Sequence, residues 1–233
     1  MPWWPISLLA YFGYDYAVKT FAIMLKLRGE VSVVVGLGKV ALRKARALSR
    51  AGCAVRLITG PAPNQTALGE LPAGVEVLVE SYKPRQLQGA KLVFACTDDR
   101  DVNARISADA RSAGVLVNVA DQPGDCDFFM PATICHGDVV VAIGTGGQAP
   151  ALSAAIKQQL QTGDALPEQL GQFADLLGEI RQQLRSRADL PAEARSRILK
   201  SLARRDVLDE FIATGPGAVA EQLRKLRPPS EGE

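Results

Sequence analysis

The spacing of apolar positions changes character along this chain, and the changes mark out its elements. Residues Val31–Val35 (VSVVV) form a β-branched run too short for a helix. Gly36, Leu37 and Gly38 follow. In the next stretch Val40, Leu42, Ala45, Leu48 and Ala51 recur every three or four residues, and Gly52 stands where a helix would stop. Strand, glycine turn and helix are predicted in that order. Ala54–Thr59 (AVRLIT) is a second apolar run broken by Gly60 and Pro61, and 75–79, 91–96 and 115–119 are three more, with a helical stretch over 101–113 before the last. Short, nearly continuous apolar runs alternating with amphipathic helices predict a doubly wound parallel sheet covered on both faces, so 21–120 reads as a Rossmann-like α/β domain.

From residue 121 the texture shifts. DQPGDCDFFMP is turn-rich, and ATICHGDVVVAIGT holds two short apolar runs around His136, Gly137 and Asp138, which predicts a hairpin. Residues 151–226 are helix-rich, in segments that include EQLGQFADLLGEIRQQLRSR and PAEARSRILKSLARRDVLDEFI, set apart by Gly and Pro. The polar 227–233 is read as a disordered tail. Residues 1–20 are apolar but interrupted by Pro2, Pro5, Gly13 and Asp15, fall short of the roughly 20 residues that span a bilayer, and lack the flanks of a signal peptide. They are read as an extension outside the domain, with no membrane partner.

Composition narrows the function classes. With 27 basic against 25 acidic residues, a charge of +2 and 47% apolar positions, the chain is an ordinary globular one without the basic excess of a nucleic-acid binder. Cys53, Cys96, Cys126 and Cys135 form no C-x-x-C pair, so the thiols are read as reduced and the protein as cytoplasmic.

The strongest local chemistry is Gly36-x-Gly38-x-x-Ala41 between a strand and a helix. Gly36 permits the tight turn, Gly38 lets the backbone approach a pyrophosphate, Ala41 allows close helix packing, and the helix N-terminus offers free N–H groups. An NAD-type cofactor is expected there. The acid that usually holds the ribose hydroxyls is missing, since Thr59, Gly60 and Pro61 occupy the end of the second strand, which leaves NAD against NADP open. Asp121 follows the fifth strand at the edge where open α/β sheets bind ligands; it is a candidate acid or base, or equally an N-cap or Asx-turn aspartate. Asp98, Asp99 and Asp101 are read as caps of the following helix, and Thr97 as facing the cofactor. Gly144, Thr145, Gly146 and Gly147 are either a turn into the next helix or backbone N–H groups presented to an anion. Cys126, Cys135 and His136 match no standard zinc spacing, so no metal site is expected. A Tyr-x-x-x-Lys pair is absent, which sets aside a short-chain dehydrogenase.

Taken together, VVVGLGKVALRKARAL, FACTDDRDVNARIS, VNVADQPGDCDFFMPATI and VAIGTGGQAPALSAAIKQQL resemble, in order and spacing, the precorrin-2 dehydrogenase / sirohydrochlorin ferrochelatase family, whose module also forms the N-terminal half of bifunctional siroheme synthase. The likeness runs from about residue 21 to 160. It implies NAD-dependent oxidation of the tetrapyrrole precorrin-2 to sirohydrochlorin and, in some members, chelation of ferrous or cobaltous ion. The essential aspartate of its N-V-x-D motif falls on Asp121, as general base, with Asn118 on the substrate side. NAD contacts fall on Gly36, Gly38, Lys39, Val40, Gly60 and Pro61. Thr145 replaces a serine of the family's S-x-G-G loop, and with Gly146 and Gly147 is implied at the substrate. The opening F-P-I-x-L reads Phe21, Ala22, Ile23, Met24, Leu25. The resemblance also implies a homodimer. The fold class expected is therefore a Rossmann-type doubly wound parallel sheet, then a small dimerisation segment over 121–150, then a helical C-terminal domain over 151–226. Two other functions compete: an NAD(H)-sensing regulatory module without tetrapyrrole turnover, and an NAD-dependent oxidoreductase for another small substrate.

Overall fold

The structure, a computed structural model, describes residues 20–163 and 165–226; most of the predicted extension and the predicted tail lie outside them. The chain divides into two compact units between Phe129 and Met130.

The first unit carries β1 (Val31–Val35), α1 (Lys39–Arg50), β2 (Ala54–Thr59), α2 (Gln65–Gly69), β3 (Glu76–Val79), β4 (Ala90–Ala95), α3 (Arg100–Ser112) and β5 (Leu116–Val119). The strands form one sheet in the order β3-β2-β1-β4-β5, with every pair parallel. Period-two alternation separates its faces. Val33, Val35, Val93, Ala95, Val117 and Val119 pack with Ile106 and Ala110 of α3, while Val34, Leu92 and Phe94 pack with Ala41, Ala45 and Leu48 of α1. Both faces are buried, which is why these strands carry no polar alternation. The direction of winding reverses between β1 and β4, so the crevice beyond their carboxyl ends is where this topology receives ligands.

β5 is an edge strand, and the segment after it covers that edge. The Asp127 N–H donates to the Val117 carbonyl (2.8 Å) and its Oδ2 accepts the Val117 N–H (3.0 Å), while Cys126 Sγ accepts the Val119 N–H (3.2 Å). The backbone groups a free edge would leave open are thus paired.

The second unit begins with the predicted hairpin, β6 (Ala132–His136) antiparallel to β7 (Val139–Ile143). α4 (Pro150–Thr162), α5 (Leu170–Ser186), α6 (Ala192–Leu202), α7 (Arg205–Thr214) and α8 (Gly217–Lys225) follow. The hairpin turn lies against α5: a Cβ at Gly171 would stand 2.5 Å from the His136 carbonyl oxygen. Phe173 and Ile180 of α5, Leu202 of α6, Leu208 and Phe211 of α7 and Val219 of α8 make one core. One expectation is corrected here. PAEARSRILKSLARRDVLDEFI is two helices rather than one, broken at Ala203 and Arg204 with neither Gly nor Pro. Arg204 is extended (φ −89, ψ 154) and grips Asp206 through two hydrogen bonds of 2.9 and 2.8 Å, so the bend brings Leu202 and Leu208 into the same core. Among the described residues, no helix is long and apolar enough to cross a membrane.

Candidate functional site: the carboxyl edge of the parallel sheet

Gly36 ends β1 with φ 118, and its N–H donates to the Ile58 carbonyl at 2.8 Å. A Cβ there would lie 2.3 Å from the Cys96 carbonyl oxygen, so the turn after β1 closes against the end of β4 only because position 36 has no side chain. Gly38, the N-cap of α1, has open space around the position a Cβ would take. No side chain caps α1, so the first-turn N–H groups, those of Lys39 and Val40 among them, are left for an anion.

These features border a cavity of about 390 Å³ at the carboxyl ends of β1 to β4. Gly36, Gly38, Gly60 and Thr97 all line it, whereas Pro61, Asn118 and Asp121 do not. The residues fit a dinucleotide: the glycine turn leaves a channel where any side chain would intrude, and the uncapped helix end supplies donors for a pyrophosphate. Thr97 contributes its surface rather than its hydroxyl, which donates to Asn103 Oδ1 of α3 (2.7 Å). Of the three aspartates read as caps, only Asp99 caps α3, accepting from the N–H groups of Asp101 and Val102; Asp98 lines the cavity and Asp101 sits in the first turn. The far wall was not foreseen. Tyr82 donates to Asp109 (3.2 Å), and burial together with that carboxylate pushes its phenol well above the usual range. The Arg105 guanidinium stands 5.8 Å over the Tyr82 ring. Glu80, beside them, is held below the usual carboxylate range by hydrogen bonds from Lys83 and Gln86. No local spacing could have announced this wall, because α3 and the loop after β3 bring it together from separate parts of the chain.

Asp121 stands two residues beyond β5 with φ 60, the only non-glycine residue with positive φ among those described. It is exposed, and among the described residues its carboxylate makes neither a hydrogen bond nor an ion pair. The cap and Asx-turn alternatives therefore do not describe its side chain, although its backbone does start the reversal onto the β5 edge. Asn118 is buried and turned inward, with Nδ2 donating to the Phe128 carbonyl at 2.9 Å. The Asp121 charge acts on Cys96: burial pushes this thiol up to about 11, Lys44 and Arg43 pull it down, and Asp121 adds to the rise. Thr145 belongs to the second unit, where its Oγ1 accepts the Ala149 N–H (3.2 Å) at the start of α4, with Gly146 and Gly147 at φ 61 and 80. Among the described residues, no three His, Cys, Asp or Glu side chains form a group able to hold a metal ion.

Fold and glycine edge define a Rossmann-type NAD-binding domain, and residues 23–132 match the family model described as "Putative NAD(P)-binding". Siroheme synthase of Pseudomonas putida (strain W619) is 41% identical over 161 residues, 69% of this chain and 34% of that protein. Siroheme synthase 3 of Aeromonas hydrophila subsp. hydrophila is 34% identical over 201 residues, 86% of this chain and 42% of its own. The chain spans about a third of the first of these relatives. Among solved structures, "SirC, precorrin-2 dehydrogenase" shares the fold, with a TM-score of 0.64 over 89% of this chain and 98% of its own, at 22% identity. The chain is therefore similar to the N-terminal module of siroheme synthase.

Proposed function

We propose that this protein oxidises precorrin-2 to sirohydrochlorin in siroheme biosynthesis. The observation that carries the reading is Asp121, whose carboxylate has no partner among the described residues and which is held in left-handed backbone at the sheet edge that also carries the glycine turn. Non-glycine residues in that conformation are strained by about 1–3 kcal/mol and concentrate at functional sites. The siroheme synthase relatives and the shared precorrin-2 dehydrogenase fold support the same substrate class.

NAD, when bound, accepts the hydride. The chain's own residues do the rest. Gly36, Gly38 and the first turn of α1 hold the pyrophosphate, Gly60 borders the ribose, and Thr97 walls the cleft. Removing two electrons and two protons from the macrocycle sends one hydrogen away as hydride and leaves one proton, which Asp121 accepts at a carboxylate oxygen. Asn118 acts by fixing the chain that follows Asp121.

Anaerobic precorrin-2 mixed with the protein and NAD should give the sirohydrochlorin spectrum and an equal amount of NADH, and Asp121→Ala should give neither. Adding ferrous or cobaltous ion to the product then asks whether the same chain inserts metal. NADH binding without any spectral change of the tetrapyrrole would instead favour a nucleotide sensor.

A further inference from the structure

One charged side chain of the first unit is explained by neither the fold nor the cofactor cleft. α1 turns Ala41, Ala45 and Leu48 onto the sheet. Position 44 lies one turn after Ala41 and one before Leu48, on the edge of that stripe, and a helix that served only to cover the sheet would carry an apolar residue there. It carries Lys44, which is half-buried, with its ammonium 5.2 Å from the centroid of the Phe94 ring. Phe94 is fully buried and held edge-on by Phe128 at 5.4 Å, so the lysine lies against a rigid surface.

Among the described residues, the charges and thiols that act on Lys44 are Cys96, Cys126 and the Arg43 guanidinium, with no carboxylate among them. Burial holds the ammonium below the usual lysine range. A partly desolvated cation without a counter-charge is unfavourable in the free protein. Arg43, exposed beside it, likewise makes no ion pair among the described residues. Cys96 ties the cluster to the reacting edge, since the charges of Lys44, Arg43 and Asp121 all act on its thiol. The cavity lined by Gly36 and Gly38 does not include Lys44, so the anion it awaits is not the one held at the glycine turn.

We propose that Lys44, with Arg43 beside it, anchors a carboxylate of the substrate at the β4 and β5 end of the sheet and so presents the macrocycle to Asp121. The proposal rests on the reading of the substrate as a carboxylate-bearing tetrapyrrole. The chain's small net charge is compatible with it, because the attraction is local.

The test compares wild type with Lys44→Met, Lys44→Arg and Arg43→Gln. The readouts are KM and kcat for precorrin-2, product affinity by absorbance titration with sirohydrochlorin, and NADH affinity by fluorescence. Loss of a charge-assisted contact should raise KM and weaken sirohydrochlorin binding roughly tenfold or more in Lys44→Met, and less in Arg43→Gln. Lys44→Arg should recover most of the loss, and NADH affinity should stay within about twofold throughout. The salt dependence of KM should flatten in Lys44→Met. Lys44→Met should melt no lower than wild type, because it removes an uncompensated charge. An unchanged KM in Lys44→Met, or a lowered melting temperature that Lys44→Arg restores without restoring binding, overturns the anchor and leaves the proposed oxidation standing. A wild-type protein that neither binds nor oxidises the tetrapyrrole overturns the oxidation, and the anchor with it.

Discussion

The two glycines of the nucleotide turn should fail in different ways when each is replaced by alanine. At Gly36 a methyl group would meet the Cys96 carbonyl oxygen at 2.3 Å and its carbon at 2.8 Å, and the backbone sits at φ 118. Both obstacles are backbone, so no rotamer change relieves them. Strained backbone costs about 1–3 kcal/mol and forced overpacking a further 1–3. The sum, roughly 2–6 kcal/mol, is a large part of the 5–15 kcal/mol that holds a typical domain together. At about 2–4 °C per kcal/mol for a chain of this size, Gly36→Ala should melt roughly 5–20 °C lower. Gly38 has ordinary backbone (φ −74, ψ 175) and nothing within 4 Å of its missing Cβ, so Gly38→Ala should melt within about 2 °C of wild type. Its methyl group would instead stand where the pyrophosphate approaches, and NADH affinity should fall roughly tenfold or more. Circular-dichroism melts and NADH fluorescence titrations of the two variants separate the effects. Wild-type NADH affinity in Gly38→Ala would show that the cofactor does not use this turn, and a wild-type melt for Gly36→Ala would refute the close-approach argument.

Other perturbations follow from the same geometry. Asp121→Gly should melt as high as wild type or about 1 kcal/mol more stably, since glycine accepts φ 60, while both Asp121→Gly and Asp121→Asn lose turnover; activity in Asp121→Asn would remove the base from the mechanism. In iodoacetamide labelling at pH 8 followed by peptide mass spectrometry, exposed Cys135 should react first and buried Cys96 last, because a thiol pushed up to about 11 is only about one part in a thousand thiolate there; equal rates would contradict the burial of β4's end. Asp127→Ala leaves the Val117 N–H without its 3.0 Å acceptor and should cost about 1–2 kcal/mol, with faster amide exchange at Val117 and little change in the second unit.

What the sequence made legible was local. β1, the glycine turn, α1 and β2 could be read because strand propensity, turn chemistry and helical spacing agree without a break from Val31 to Thr59. α2 escaped notice because five residues around Asn64's cap present no repeating apolar face. The break between α6 and α7 escaped for the opposite reason: the apolar spacing continues across Arg204, and only the shared core of Leu202 and Leu208 bends it. The site was half legible. Gly36 and Gly38 announce themselves through a motif, but the left-handed backbone of Asp121 is imposed by the return of Cys126 and Asp127 to the strand it has just left. The Tyr82 and Arg105 wall depends on contacts between distant segments, which no one-dimensional pattern records. Lys44 did leave a trace, a charge on an otherwise apolar stripe, and its meaning appears only when Phe94 and Cys96 are seen beneath it.

The covering of β5 by Cys126 and Asp127 makes the sheet polar in a topological sense: it has a finished side and an unfinished one. On the finished side the strand's hydrogen-bonding capacity is taken up within about ten residues of chain, so no outside segment can extend the sheet there without first peeling that turn away and freeing Asp121 with it. On the other side β3 has no strand partner beyond it among the described residues, and Val79 at its end is half exposed. Growth of this sheet, whether by natural insertion or by engineered fusion of an extra strand, is therefore directed to β3. There it lengthens the β2 and β3 side of the crevice and leaves the Asp121 side untouched.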